Sequence, residues 1–131
     1  MNKVKSSTAI IISFLILVTL SNAAKAQDAT KMLKESTPAQ RAQMQTGIIK
    51  NKLNLDSAQT TKVQSINLKY AEKLDLALKS GERKFKMMRD VMAIQKAKDA
   101  ELKTILSGDQ YQQYEKMKEE MKEKLKDYKK P

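Results

Sequence analysis

Apolar residues recur every three or four positions along most of the chain after residue 36. This spacing is typical of one face of an α-helix. The two central patterns cover residues 57–79 and 82–106 and are separated by Ser80-Gly81. Glycine readily adopts the left-handed conformation just beyond a helix C-terminus. We therefore predict two long helices joined as an antiparallel hairpin. One long kinked helix is the alternative.

The flanking patterns predict a short helix beginning at Pro38 and a C-terminal helix after Ser107, which makes the fold class all-α with no strands. We expect one helical domain over residues 37–128, preceded by a flexible arm at 27–36 and followed by a short tail at 129–131. Leu68 and Leu76 lie off the apolar face of the second helix. The predicted apolar faces comprise Met44, Ile48, Ile49 and Leu53; Val63, Ile66, Tyr70, Leu74 and Ala77; Met88, Val91, Ile94, Leu102 and Ile105; and Tyr111, Tyr114, Met121, Leu125 and Tyr128.

Two helix starts share one pattern: a Leu, a small residue with a side-chain oxygen, two further positions and a Gln. Asp56 and Ser107 can accept a hydrogen bond from a free amide of the first turn. A Gln three residues later can reach back to the cap residue's own N–H and complete a capping box. Thr37 opens the first helix in the same way. The two motifs consist of Leu55, Asp56 and Gln59, and of Leu106, Ser107 and Gln110.

These motifs resemble the paired L-T-x-x-Q motifs of the Spy/CpxP family of periplasmic proteins, with Asp56 and Ser107 in place of the usual Thr. The likeness extends over residues 53–66 and 101–117 and is closest at 110–114. The segment between the motifs is shorter than in the best-known members. The resemblance implies an ATP-independent periplasmic chaperone, or a regulator that binds the sensor domain of an envelope-stress kinase. It also implies a homodimer.

The first 26 residues have the pattern of an export signal. Lys3 and Lys5 precede an apolar stretch at residues 9–20, and Ala24-Lys25-Ala26 provides a site for cleavage before Gln27. A largely apolar stretch of twelve residues is too short to span a bilayer comfortably. We therefore predict a cleaved signal peptide and a periplasmic protein. The chain has no Cys, so neither a disulfide nor a lipid-bearing cysteine is expected.

The charge of the chain narrows the class of partner. Residues 27–131 contain 23 basic and 15 acidic residues, a net charge of +8. Such a surplus favours acidic partners, and export makes nucleic acid the least plausible of these. With no His and no Cys, the commonest metal ligands and the usual catalytic triads are missing. We expect no enzyme activity, no cofactor and no metal site.

The most promising surface lies on the third helix. Apolar and basic side chains alternate along one stripe beside its apolar face, and the segment at 82–89 is especially basic. Such a surface suits unfolded, acidic protein segments, since Met adapts to varied partners. Alternatively, Phe85 and Met92 complete the core and the cations are only solvated. The stripe, which we call the α3 stripe, consists of Phe85, Arg89, Met92, Lys96 and Lys103.

Leu68 and Leu76 offer a similar choice, because they could complete the core, contact a second subunit or bind a client protein. Since a thin core favours oligomerisation, we expect a homodimer. A third class of function is attachment to anionic lipid through the C-terminal helix. We do not favour it, because six acidic residues nearly cancel the seven lysines between residues 109 and 130.

Overall fold

The computed structural model describes residues 35–128. Within this range the chain forms four α-helices and no strand: α1 (Pro38–Leu53), α2 (Ser57–Lys79), α3 (Lys84–Ile105) and α4 (Gly108–Tyr128). The predicted all-α fold class is confirmed. The predicted signal peptide, most of the predicted arm, the tail, and the side chains of Leu125 and Tyr128 lie outside the described part of the chain.

Three of the four helices begin with a capping box, as the sequence predicts. At α2, the Gln59 amide N–H donates to Asp56 Oδ1 at 2.7 Å and the Asp56 N–H donates to Gln59 Oε1 at 3.2 Å. The corresponding bonds at α4 are 3.2 Å and 2.9 Å, between Gln110 and Ser107. The third capping box opens α1 at Thr37. Each box satisfies two amide groups that a helix start would otherwise leave unpaired.

Contacts between α2 and α3 show that they run antiparallel. Tyr70, near the middle of α2, donates its hydroxyl hydrogen to Glu101 Oε1 at 2.7 Å. The middle of α2 therefore lies beside the last turns of α3. Towards the hairpin turn, Leu74 and Val91 pack together in a small buried cluster. The sequence position rises along α2 as its partner's position falls along α3. The predicted hairpin is therefore present.

The turn between α2 and α3 breaks the helical path completely. Ser80 ends α2, and Gly81 follows with a φ of +70°, the left-handed conformation that glycine adopts without strain. The alternative of one kinked helix is wrong. The third helix begins at Lys84, two residues later than the sequence suggests, because Arg83 has an extended backbone (φ −57°, ψ 141°).

The outer helices, α1 and α4, each run antiparallel to the helix of the hairpin that they adjoin. Polar pairs from Arg41 to Asp75 (3.0 Å) and from Asn67 to Thr46 (2.9 Å) hold α1 antiparallel to α2. Tyr114 of α4 donates a hydrogen bond to Asp99 of α3 at 2.8 Å. Lys118 also forms an ion pair with Asp99, and this explains how a lysine can interrupt the apolar face of α4.

The apolar core is concentrated where the helices meet at the two motifs. Each large aliphatic or aromatic side chain buried there contributes roughly 1.5–3 kcal/mol. A second, smaller cluster near the hairpin turn contains Leu74 and Val91 with Ala77 and Met87 packed against them. The main cluster consists of Ile49, Leu53, Leu55, Val63, Ile66, Tyr70, Leu102, Leu106 and Tyr114.

Between the clusters, the buried face of α1 is unusually polar. Arg41, Gln45 and Thr46 are all buried, and each faces a polar side chain on another helix. Gln45 Oε1 accepts a hydrogen bond from Lys98 Nζ at 2.7 Å, which ties α1 to α3. Because a buried polar group is costly when it lacks a partner, these pairs fix how α1 sits against the hairpin.

Candidate functional site

The structure leaves the whole α3 stripe on the surface. Phe85 is 74% exposed and Met92 is 62% exposed, and neither belongs to an apolar cluster. Arg89, Lys96 and Lys103 are exposed as well. The alternative that Phe85 and Met92 complete the core of this chain is therefore wrong. Two large apolar groups instead lie among cations along one side of α3.

The pairing of its cations determines the charge of the α3 stripe. Within residues 35–128, the structure shows no carboxylate paired with Arg89 or Lys96. Lys103 instead lies over the ring of Tyr111, 5.6 Å from its centroid. The stripe is therefore a surface of positive charge that nearby acids do not neutralise, and it can attract an acidic partner.

Several cations elsewhere are paired with acids. On α4, Lys122 pairs with Glu119 and Lys126 with Glu123, both at 2.7 Å. The exposed face of α4 thus carries ion pairs between neighbouring residues, and its positive and negative charges largely cancel. This contrast distinguishes α3 from α4 as a surface for a charged partner.

The basic segment at the start of α3 lacks the usual signals of a helix start. Arg83 occupies the N-cap position, and no side chain caps the first turn. Lys84 and Lys86 lie in that turn, where the helix dipole disfavours positive charge. A 2.7 Å bond to Glu82 raises the pKa of Lys86 and partly offsets this repulsion. The sequence here does not favour helix formation.

Leu68 and Leu76, also predicted as client contacts, do not form one surface with each other. Leu76 is 71% exposed and shares a flank of α2 with Lys69, which pairs with Glu101 of α3. Leu68 is only partly exposed and shares the opposite flank with Asp75, which pairs with Arg41 of α1. The structure therefore places the two leucines on different sides of α2.

The two predicted motifs meet in space. Gln59 Nε2 donates to Gln110 Oε1 at 2.7 Å, although the two residues are 51 positions apart in the sequence. Leu55 and Leu106 are both buried in the main cluster. We call the paired Gln59 and Gln110 amides, with the backbone carbonyls that they contact, the motif junction.

Each glutamine of the motif junction also caps the end of another helix. Gln59 Nε2 donates to the carbonyl of Ile105, the last residue of α3, at 3.2 Å. Gln110 Nε2 donates to the carbonyl of Leu53, the last residue of α1, at 3.2 Å. The last carbonyls of a helix have no partner within it. Each glutamine therefore completes the capping box that the sequence predicts and also caps the end of a second helix.

The sequence interpretation missed one buried ionisable group, Lys98, which is 3% exposed. Burial lowers its pKa to about 8, while the charge of nearby Asp99 acts in the opposite direction. The residue lies seven positions after Val91 and four before Leu102, so it falls on the apolar face of α3. A lysine on the apolar face of a helix is the feature of the sequence that could have indicated a buried charge.

Lys98 also lines a small cavity between α1, α3 and α4. Its volume is about 30 Å³, and Tyr114, Met117 and Met121 form much of its wall. The Nε2 atom of Gln45, which also lines the cavity, is buried without a hydrogen-bond partner. A space of this size accommodates about one or two water molecules.

Two further features bear on the class of protein. Residues 35–128 contain no group of three or more acidic side chains arranged to hold a metal ion. None of the described helices is both long enough and apolar enough to span a membrane.

Comparison with the curated proteins and with the solved structures gives no match. A family model does match, and it covers residues 26–114, from just before the predicted cleavage site to the buried tyrosine of α4. The match thus includes both motifs, the hairpin and the α3 stripe. The chain belongs to the family described as "Domain of unknown function (DUF4890)".

Proposed function

We propose that this protein is an ATP-independent periplasmic chaperone of the Spy/CpxP type, which holds unfolded or partly folded envelope proteins. The α3 stripe is the binding surface in this proposal. The observation that carries it is the combination of two exposed apolar side chains, Phe85 and Met92, with cations that have no paired carboxylate in the described part of the chain. The resemblance of the two motifs to the L-T-x-x-Q pattern supplies the class of function.

The physical mechanism is weak and reversible capture. Unpaired cations accelerate the encounter with acidic segments, because opposite charges steer diffusion. The flexible Met92 and the ring of Phe85 then contact apolar side chains of the client without requiring one fixed sequence. Release needs no nucleotide, because each contact is small and is exchanged readily with water.

The predicted signal peptide supports the proposed location. The family match begins at residue 26, so the apolar stretch at 9–20 precedes the matched domain. A periplasmic chaperone works where nucleotide is not supplied, which agrees with a chain that has no glycine-rich phosphate loop. Fractionation of cells that express the full chain tests this point, since the mature protein should begin at Gln27 and appear in the periplasmic extract.

The direct test of the chaperone proposal is suppression of aggregation. Purified mature protein (residues 27–131) is mixed with a chemically denatured acidic client, without nucleotide, and light scattering is followed. We expect suppression that weakens at high salt, because salt screens exposed charges. Normal aggregation in the presence of a several-fold molar excess of the protein would contradict the proposal.

The alternative is a signalling role, in which the basic surface binds the sensor domain of an envelope-stress kinase. Crosslinking from position 92 or 96 in intact cells separates the two functions. A chaperone should yield many crosslinked partners, whereas a regulator should yield one dominant product. A single product together with no suppression of aggregation would replace the chaperone proposal with the regulator.

A homodimer remains part of the proposal. Leu68 on α2 is partly exposed outside the α3 stripe, and it gives this small domain apolar surface that a second copy could cover. Sedimentation equilibrium of the mature chain measures the assembly. A monomer at all accessible concentrations would remove the dimer from the proposal without affecting the capture mechanism.

A further inference from the structure

The end of the α2–α3 hairpin carries a second kind of surface. We call residues 76–86 the hairpin tip. Here Leu76 and Phe85 are 71% and 74% exposed, and Leu78 is 37% exposed. The small cluster of Leu74 and Val91 is already closed just before the tip. Leu76 and Phe85 lie outside that cluster and remain largely in water.

The same segment is strongly basic. It contains four cations, at positions 79, 83, 84 and 86, and one acid, Glu82. Lys86 pairs with Glu82, and Lys79 pairs with Asp75. Arg83 and Lys84 have no paired carboxylate within the described residues. The tip thus presents unneutralised positive charge beside exposed apolar groups.

The chemistry of this surface indicates the kind of partner that fits it. The tip is the turn end of the hairpin, where α2 stops at Lys79 and α3 begins at Lys84. A surface that mixes Phe and Leu with Lys and Arg has the chemistry of a segment that rests in a lipid interface. Anionic head groups attract each cation near the surface.

We propose that the hairpin tip docks on the surface of a bilayer that contains anionic phospholipid. Phe85 and Leu76 enter the boundary between head groups and acyl chains, while Arg83 and Lys84 contact the phosphates. The contact is shallow and reversible, and it leaves most of the α3 stripe open to clients. This inference goes beyond the chaperone proposal, because it assigns the tip to a membrane surface.

The sequence provides a clean optical test, because the chain contains no Trp. Phe85→Trp in the mature chain creates a single reporter at the tip. With vesicles of phosphatidylcholine and phosphatidylglycerol, we expect a blue shift of its emission and protection from a soluble quencher. Ala100→Trp is the matched control, because position 100 is exposed on the same helix but far from the tip. Its emission should not change.

Charge reversal tests which cations are responsible. Co-sedimentation compares the double variant Arg83→Glu and Lys84→Glu with Lys62→Glu and Lys116→Glu. Both variants change the net charge equally, and positions 62 and 116 are exposed outside the tip. We expect the tip variant to lose roughly tenfold or more in affinity for anionic vesicles. The control variant should lose much less, and both should keep the melting temperature of the parent chain.

Four results would overturn this inference. Equal losses for the two charge variants would mean that the whole protein is attracted without a specific surface. Unshifted Phe85→Trp emission with anionic vesicles would show that the tip stays in water. Loss of aggregation suppression in the tip variant, without vesicle binding by the parent chain, would assign the tip to protein clients. Normal suppression without vesicle binding would reject the lipid proposal alone and leave the chaperone proposal standing.

Discussion

The two ends of the α2–α3 hairpin are built on opposite physical principles. At the motif junction, Gln59 and Gln110 satisfy helix starts and helix ends together, above a core of fully buried side chains. At the hairpin tip, α3 starts without a side-chain cap, cations oppose its dipole, and Phe85 and Leu76 are exposed.

The difference indicates which end serves stability and which is available for binding. Segments in which local preference, capping and packing agree specify a structure, and departures from that agreement concentrate at functional sites. At the motif junction, local preference, capping and packing all favour the same structure. The tip and the adjoining α3 stripe depart from that agreement in capping, in charge and in burial. Variants at the two ends should therefore affect different measurements.

The largest expected effect comes from the core beside the motif junction. Leu102 is 0% exposed, so Leu102→Ala should lower the free energy of unfolding by about 2–5 kcal/mol. Phe85→Ala at the tip should change it by less than about 0.5 kcal/mol, because that side chain is exposed. Chemical denaturation measures both. Similar losses for the two variants would remove the contrast between the ends.

Lys98 predicts a dependence of stability on pH. Its folded pKa of about 8 lies below the ordinary lysine value of 10.5. Between these values the unfolded chain binds more protons than the folded chain, so the free energy of unfolding should rise with pH. The gain should be on the order of 1–3 kcal/mol between about pH 8 and pH 10. At higher pH, Tyr70 opposes it, because its folded pKa is raised to about 12.

Lys98→Met should abolish this rise in stability, and chemical denaturation at a series of pH values measures it. Lys96→Met is the matched control, because Lys96 is exposed two positions earlier on the same helix. The control should keep the rise. The groups that face Lys98 are Gln45, Asp99 and Lys118. A slope that persists in Lys98→Met would assign the effect to another group.

The glutamine pair predicts coupling between distant positions. Gln59→Ala and Gln110→Ala should each cost about 1–3 kcal/mol, because carbonyl groups at helix ends lose their donors. The double variant should cost less than the sum, with a coupling of at least about 0.5 kcal/mol. Gln40→Ala is the control, since Gln40 completes a capping box on α1. It should be additive with Gln110→Ala. Additive costs for Gln59 and Gln110 would contradict the pairing.

The N-cap residues of the motifs predict a smaller loss. Asp56→Ala and Ser107→Ala each remove an oxygen that accepts a backbone N–H. Each should lower stability by about 0.5–2 kcal/mol. Asp56→Asn and Ser107→Thr keep a capping oxygen and should remain close to the parent chain in thermal denaturation. If Asp56→Asn and Ser107→Thr lose as much stability as the alanine variants, the caps do not explain the motif.

The sequence predicts the local features of this fold well and its long-range polar contacts poorly. Helical spacing and cap residues are encoded within a few positions, so the helix starts at Thr37, Asp56 and Ser107 and the turn at Gly81 could be predicted. The pairing of Gln59 with Gln110 depends on how distant helices pack, and no local pattern specifies it. The exposure of the α3 stripe was left open for the same reason.

The buried polar face of α1 illustrates the same limit. Arg41, Gln45 and Thr46 read as ordinary polar positions in a helix, yet each one is buried against a partner from another helix. Only the tertiary arrangement supplies those partners. Lys98 was the exception, because its place on an apolar face could have been recognised from spacing alone.

The central claim is that the α3 stripe binds clients and does not support the fold. The most direct test combines Arg89→Glu with Lys96→Glu in the mature chain. Affinity for a fluorescently labelled, denatured acidic client is measured together with the melting temperature. Lys62→Glu combined with Lys116→Glu provides the control of equal net charge at exposed positions. We predict that the stripe variant binds the client roughly tenfold or more weakly at an unchanged melting temperature, while the control binds nearly as well as the parent. Client binding equal to that of the control would contradict the claim, and so would unfolding of the stripe variant.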